Sequence, residues 1–307
     1  VPAPALVSRV EVRIGLAFWI VAGTAAALTG AFSQWLPYAA PVGALVLAWP
    51  LIARRAWAGA VLDWLPLVLV VFTYEMLHRV VPGCWQGTID PWLADADRAV
   101  LGNHAGVLLE PLVARPLTTL MACFYAAYYP LTISLAVWLC VRGTRAAFRE
   151  YCAGAIGSLF IGYLGYLFLP ALGPHAFLPP GTWSVPLDGD FIGPAIRSLN
   201  ENHHGAFPRD AFPSLHTANA VTVLLVAWRH DRRAFAVYLV PCLGLIAATV
   251  YLRWHYVVDI AAGAALAMAW QPFARRAVAR EPARPPGARP TGVSAPAVDE
   301  DTAPKSR

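Results

Sequence analysis

Charge is what this sequence lacks. Only 13% of its 307 residues are Asp, Glu, Lys or Arg, where a soluble domain carries about a quarter. With 58% of residues in the hydrophobic class and a mean hydropathy of +0.53, the chain holds more apolar surface than one aqueous core can hide. A soluble globular fold is therefore excluded, and lipid is the expected solvent for most of the chain. Disulfide and metal frameworks are missing as well. The five cysteines, Cys84, Cys123, Cys140, Cys152 and Cys242, fall at no paired or metal-ligand spacing, and four lie in apolar stretches where a thiol behaves as a small hydrophobe. No metal and no cofactor are expected. A signal-peptide cleavage site is also lacking, so the first apolar run reads as a retained helix. The net charge of +5 comes from arginines in short loops and a tail, which reports membrane orientation rather than affinity for nucleic acid.

What is present is a series of apolar runs. Eight of them, at 14–32, 38–53, 61–77, 117–141, 152–169, 212–228, 234–251 and 255–270, approach the roughly 20 residues a spanning helix needs. The expected fold class is all-α, a polytopic membrane helix bundle. Twelve Trp and eleven Tyr suit interfacial belts. Gly154, Gly157, Gly162 and Gly165 mark the fifth span for close helix contact. Two long mixed-charge loops interrupt the series, at 78–117 and 170–211. The segment 104–114 in the first is too short to span and reads as lying along the interface. From Arg275 the chain is rich in Pro, Arg and Ala without periodicity, the composition of a disordered tail.

Basic residues follow the second, fourth, sixth and eighth spans: Arg54 and Arg55; Arg142, Arg145 and Arg149; Arg229, Arg232 and Arg233; Arg275, Arg276 and Arg280. These ends alternate, so they share one side. The positive-inside rule makes that side cytoplasmic, with both termini, in a plasma or inner membrane. The two mixed-charge loops and the starts of the sixth and eighth spans then face outward.

Two polar clusters sit at those outward starts: RDAFPSLHTANAV (209–221) and TVYLRWHYVVDIAAG (249–263). His255 and Asp259 are four apart on a helical stretch and share a face. A carboxylate accepting the proton of one imidazole nitrogen leaves the other as an outward lone pair, which makes the histidine an oriented nucleophile or base. A polar pair that merely staples two helices is the alternative, although ionisable residues within spans are costly and favour function. His216 lies one turn into its span, after Pro213 and Ser214, where free helix amides favour anions. Arg209 and Arg253 stand at the outer ends of the same spans, where interfacial snorkelling is the alternative use. Together these groups compose a phosphate site. In that chemistry His255 attacks phosphorus, Asp259 orients it, and His216 protonates the leaving oxygen and then activates water or an alcohol. A non-catalytic transporter or scaffold that binds a lipid phosphate is the competing class. A hydrolase using His216, His255 and Asp259 as zinc ligands is another. A CDP-alcohol phosphotransferase would need clustered aspartates in a helix, and none occur.

PSLHTA followed by HYVVD resembles the second and third signature motifs of the type 2 phosphatidic acid phosphatase superfamily, membrane relatives of the vanadium haloperoxidases. The resemblance implies His216 as general acid/base, His255 as nucleophile, Asp259 as its partner and Ser214 as a phosphate contact. It also implies a six-helix core at 61–273, preceded by a pair of transmembrane helices at 1–60 and followed by a disordered cytoplasmic tail at 274–307. The sequence departs from the usual pattern in three ways. Thr249 stands where the family has an arginine, PSLH replaces PSGH, and the Lys-x6-Arg-Pro signature gives way to PALGPHAFLP (170–179). These traits resemble the branch containing inositol phosphorylceramide and sphingomyelin synthases, which implies a phospholipid or prenyl phosphate substrate in the bilayer. Arg209, Arg253 or His175 would then supply the missing phosphate contact. Oligomeric state is not legible.

Overall fold

The computed structural model describes residues 6–55, 57–187 and 208–281. Twelve α-helices occur among them: α1 Val10–Thr29, α2 Phe32–Ile52, α3 Ala58–Cys84, α4 Asp90–Leu101, α5 Ala105–Leu108, α6 Arg115–Ala126, α7 Tyr128–Arg142, α8 Arg145–Phe168, α9 Pro174–Phe177, α10 Leu215–His230, α11 Arg232–Tyr251 and α12 Val257–Ala279. The described residues contain no strand, only one isolated bridge between Ala171 and Asp210. The molecule is an all-α bundle. Helices α1, α2, α3, α8, α11 and α12 are each long and apolar enough to cross a membrane.

Local chemistry explains most of the boundaries. Gly30, in the left-handed region at φ 84, closes α1. Thr144 caps α8 by accepting from the Ala147 amide at 3.1 Å. Asp231 caps α11 through the amides of Arg233 and Ala234 at 2.8 and 3.1 Å. Helix α2 begins six residues before the expected span and carries Pro37, Pro41 and Pro50 inside it, since a helix in apolar surroundings keeps its hydrogen-bonded form around prolines that would end it in water. The expected fourth span is instead a pair, α6 and α7, bent by 45°. The sixth starts later, at Leu215, because Pro213 and Ser214 form its cap, and it is the shortest of the set at 16 residues.

The mixed-charge loop at 78–117 carries more structure than its composition suggested. The segment 104–114 forms two short turns, α5 and a 3-10 turn at Glu110–Leu112, separated where Pro111 denies an amide to a continuing helix. The real helix of this loop is α4, which the mixed charges concealed. It opens on Asp90-Pro91, stops at the left-handed Gly102 and buries Leu93, Ala94 and Asp97 along one face. The polar residues in the middle of the second loop, Asp188, Asp190, Arg197, Asn200, Glu201, Asn202, His203 and His204, lie outside the described residues, as does the tail at 282–307.

Helix α8 is the axis of the bundle and packs against α1, α3, α7, α10 and α12. Lipid gives helices no hydrophobic reason to associate, so close van der Waals fit must hold them. The four glycines of α8 serve that purpose. A Cβ at Gly154 or Gly157 would strike Gln271 or Trp270 of α12, at 2.1 and 2.5 Å. One at Gly162 or Gly165 would strike Leu215 or Pro213, at 2.2 and 2.4 Å, at the start of α10. The contact expected from the sequence therefore seats both helices that carry the motif residues.

The end of α8 where Arg145 and Arg149 lie holds an ionic network. The Arg149 guanidinium pairs with Glu11 of α1 at 2.6 Å and with Glu281, just beyond α12, at 2.8 Å. Arg9 bridges Glu281 and Asp63 of α3, both at 2.8 Å, and Arg145 joins Asp63 at 2.8 Å. Arg149 and Glu11 are buried, at 3% and 0% exposure. Helix α12 thus extends nine residues past the expected end of the eighth span, and Glu281 just beyond it is tied into the bundle.

Candidate active site

At the opposite end of α12, the two polar clusters meet. The Ser214 hydroxyl caps α10, accepting from the Thr217 amide at 3.3 Å. The Ser214 amide donates to the Asp259 carbonyl at 3.1 Å. A Cβ at Gly263, one turn further along α12, would meet the Ser214 carbonyl at 2.1 Å. These contacts lock the first turn of α10 onto the first turns of α12. His216, the second residue of α10, lies between the rings of Tyr125 and Tyr128, 4.8 and 4.5 Å away, which come from either side of the α6–α7 break.

His255 arrives by a tight turn. Helix α11 ends in a Schellman motif: the Trp254 amide donates to the Thr249 carbonyl at 2.9 Å and the Arg253 amide to Val250 at 3.0 Å. The His255 amide adds a third bond, to the same Thr249 carbonyl, at 3.2 Å. The Thr249 carbonyl therefore anchors the backbone of His255. Asp259 then holds the ring. Its Oδ2 accepts from the Tyr256 amide at 2.9 Å and faces His255 Nδ1 at 3.4 Å. His255 Nε2 faces His216 Nδ1 at 3.3 Å. The 3.4 Å contact is long for a hydrogen bond, as such contacts often are before substrate tightens them. The three side chains do not converge on one point. Each nitrogen of His255 has a different partner, which makes Asp259–His255–His216 a relay.

The four residues expected to contact phosphate are placed differently. Ser214 is fully buried and its hydroxyl is occupied by the cap and by Thr217 Oγ1 at 3.1 Å. Arg209 is hydrogen-bonded to the Trp85 carbonyl. The His175 ring stands edge-on to Trp254 at 5.2 Å, and its amide donates to the Arg253 carbonyl at 2.8 Å. The Arg253 guanidinium donates to the Val185 carbonyl at 2.8 Å and lies 3.4 Å from Glu110.

Sequence reasoning missed the groups that hold the relay in place. Asp97 of α4 accepts from the Val257 and Val258 amides at 3.0 and 3.1 Å, capping α12 from outside. Asp90 accepts from the Leu172 and Gly173 amides at 2.8 and 2.9 Å and from the Tyr256 hydroxyl at 3.1 Å. The signal was available, because Asp90 and Asp97 are two helical turns apart and share a face. Asp210, six residues before His216, takes a hydrogen bond from the Tyr74 hydroxyl and lies 3.8 Å from His78 Nε2. Burial pushes the Asp210 carboxyl up, but His78 and the Tyr74 hydroxyl outweigh it and hold the group below the ordinary carboxylate range. Asp210 is thus a fixed negative charge near the relay. Tyr125 and Tyr128 lie in an aromatic-rich stretch, CFYAAYYP at 123–130, where no spacing singles them out.

Removing the outer cap has an expected result. Asp97→Ala leaves two amides at the start of α12 without their acceptor, which costs about 1–2 kcal/mol of stability and loosens Asp259 against His255. Asp95→Ala, at a surface carboxylate paired only with Arg98, changes neither. Thermal unfolding and turnover in the same detergent preparation check both.

Fold and site together define a class: an all-helical membrane bundle carrying a His–His–Asp relay at one end. Comparison with known families makes this specific. A model of the PAP2 superfamily matches residues 91–273, and the chain belongs to that superfamily, whose members are generally phosphatases. The match runs from the start of α4 into α12, so α1, α2 and α3 lie outside it. No curated protein and no solved structure matches the chain.

Proposed function

We propose that this protein is a lipid phosphate phosphatase or lipid head-group phosphotransferase working through a phosphohistidine at the extracytoplasmic face. The observation that supports it most is the relay itself: both nitrogens of one histidine are engaged, one by a buried carboxylate and the other by a second histidine, at the mouths of two helices. The contact between His216 Nδ1 and His255 Nε2 parts to admit the phosphate; His255 Nε2 then attacks phosphorus while the bond to the leaving oxygen breaks, and that oxygen takes a proton from His216. Water or an alcohol then gives its proton to His216, attacks the phosphorus and frees His255. Asp259 keeps the proton on Nδ1 and balances the charge on the imidazole. The amides opening α10, set by Ser214, are the proposed phosphate cradle, with Arg209 and His175 at its rim. No step needs a metal.

Residues 61–273 are the proposed catalytic core and 1–60 its N-terminal helix pair. The substrate is proposed to be a phospholipid or prenyl phosphate, and the departures at Thr249 and PSLH favour the branch of inositol phosphorylceramide and sphingomyelin synthases. Purified protein incubated with phosphatidate, prenyl phosphates and inositol phospholipids, with and without alcohol acceptors, is expected to yield a dephosphorylated or head-group-exchanged lipid by mass. Activity should survive EDTA and stop with vanadate. Loss of turnover in EDTA would overturn the phosphohistidine route. The orientation is read in sealed cells, where Ser184→Cys should react with an impermeant maleimide from outside; labelling only after lysis would reverse it.

A further inference from the structure

Arg253 sits two residues before the nucleophile, and the sequence reading places it among the phosphate contacts. Its geometry serves another end. Among the described residues it is the one non-glycine with a positive φ, at 68°. It occupies the left-handed position of the Schellman turn, where glycine is the usual residue because a Cβ is penalised there. An arginine in that place carries strain that glycine would not, so its side chain must supply something in return.

That side chain is nearly buried, at 4% exposure. Its guanidinium lies over the Trp183 ring, 4.3 Å from the centroid. Nη2 donates to the Val185 carbonyl at 2.8 Å and lies 3.4 Å from Glu110 Oε1. Glu110 closes the loop from the other side, its Oε1 accepting from the Ser184 and Val185 amides at 2.8 and 3.3 Å. Gly106 admits both Trp183 and the Arg253 stem, since a Cβ there would meet them at 3.0 and 3.1 Å. Arginine, carboxylate, indole and backbone form a closed clasp between the turn that delivers His255, the turns after α4, and the outer segment 183–187. The neighbouring carboxylate matters most. It offsets the guanidinium charge, and it would stand beside any phosphate that Arg253 held, repelling it.

We propose that Arg253 is a positioning residue: with Glu110 and Trp183 it clasps the outer segment 183–187 to the turn that carries His255, and it does not hold the transferred phosphate. The proposal rests on the phosphohistidine reading for its kinetic consequences, but the clasp itself does not. Its role is to fix the nucleophile's backbone from above while Thr249 fixes it from below. The segment it pins follows α9 and a 3-10 turn at Pro180–Thr182.

Two substitutions separate this role from a phosphate contact. Arg253→Gly suits the left-handed backbone and keeps the turn while deleting the clasp. Glu110→Ala deletes the clasp from the far side and leaves Arg253 in place. Each is expected to lower kcat by about tenfold with little change in KM, and the double variant should be no worse than either single one, because both remove one unit. A phosphate contact would behave otherwise: Arg253→Gly would raise KM, Glu110→Ala would resemble the parent protein, and the two effects would multiply. That pattern, or parental kcat in either single variant, overturns the proposal. A second measurement is independent of turnover. In a Ser184→Cys background, both substitutions should speed modification by a water-soluble maleimide, and unchanged rates would refute the clasp. His255→Ala serves as the control. If it retained activity, the phosphohistidine reading would fall while the labelling rates still reported on the clasp.

Discussion

His255→Ala should abolish turnover while leaving the protein folded in the membrane. Among the described residues the proposed nucleophile has no substitute beside it: His216 faces it through Nδ1 at 3.3 Å, and Asp259 is buried. Loss of an attacking group in a covalent mechanism costs on the order of 10⁴-fold or more in kcat. Asp259→Asn should approach that loss without altering the shape of the site. An amide can donate to Nδ1 as well as accept, which permits the tautomer with its proton on Nε2, where attack is impossible. His216→Ala should differ in a diagnostic way. If His216 only moves protons, a substrate with a highly acidic leaving group will still phosphorylate His255 in that variant, and the phosphoenzyme will accumulate because nothing activates the second nucleophile. Acid-labile, base-stable phosphate trapped on His216→Ala and absent from His255→Ala is the expected result. Full activity in His255→Ala would sink the mechanism.

The second large effect lies at the other end of the bundle. Glu11→Gln should destabilise the protein by about 3–5 kcal/mol, because it strips a partner from a buried charge rather than removing a pair. Arg149 would keep Glu281, at 2.8 Å, but lose the charge of Glu11 and one of its two acceptors, now at 2.6 and 3.1 Å, because the amide NH2 would face the guanidinium as donor against donor. Replacing both members, Glu11→Leu with Arg149→Met, should be milder than Glu11→Gln alone, since no uncompensated charge is left behind. Thermal unfolding in detergent measures the order. Turnover per folded molecule should change little in all three, because the relay is at the far end of α12. An unfolding temperature for Glu11→Gln equal to that of the parent protein would show that the network contributes no stability.

These expectations drew unequally on what the sequence displays. That His216, His255 and Asp259 lie together, at 3.3 and 3.4 Å, could be anticipated because both polar clusters open spans on the same side, and the roles proposed for them come from the motif resemblance. The all-helical membrane class was legible because lipid forces it. Asp97 was not, since its value comes from two amides 160 residues away, and mixed charge around it masked the periodicity of α4. Arg253 was read only from its place at the outer end of a span, and its partners Glu110 and Trp183 are brought by turns that no spacing predicts. Arg145 and Arg149 were read as markers of sidedness, which is a property of single charges. Their pairing with Glu11, Asp63 and Glu281 is a property of the packed bundle.

Helix α12 spans both ends. At its start it carries the carboxylate of the relay, and just past its end Glu281 is held by Arg9 and Arg149. Its 23 residues make a rod of about 35 Å at 1.5 Å per residue. Such a rod works as a spacer. Anchored in charge at one end, it fixes how far Asp259 stands from the ionic network at the other.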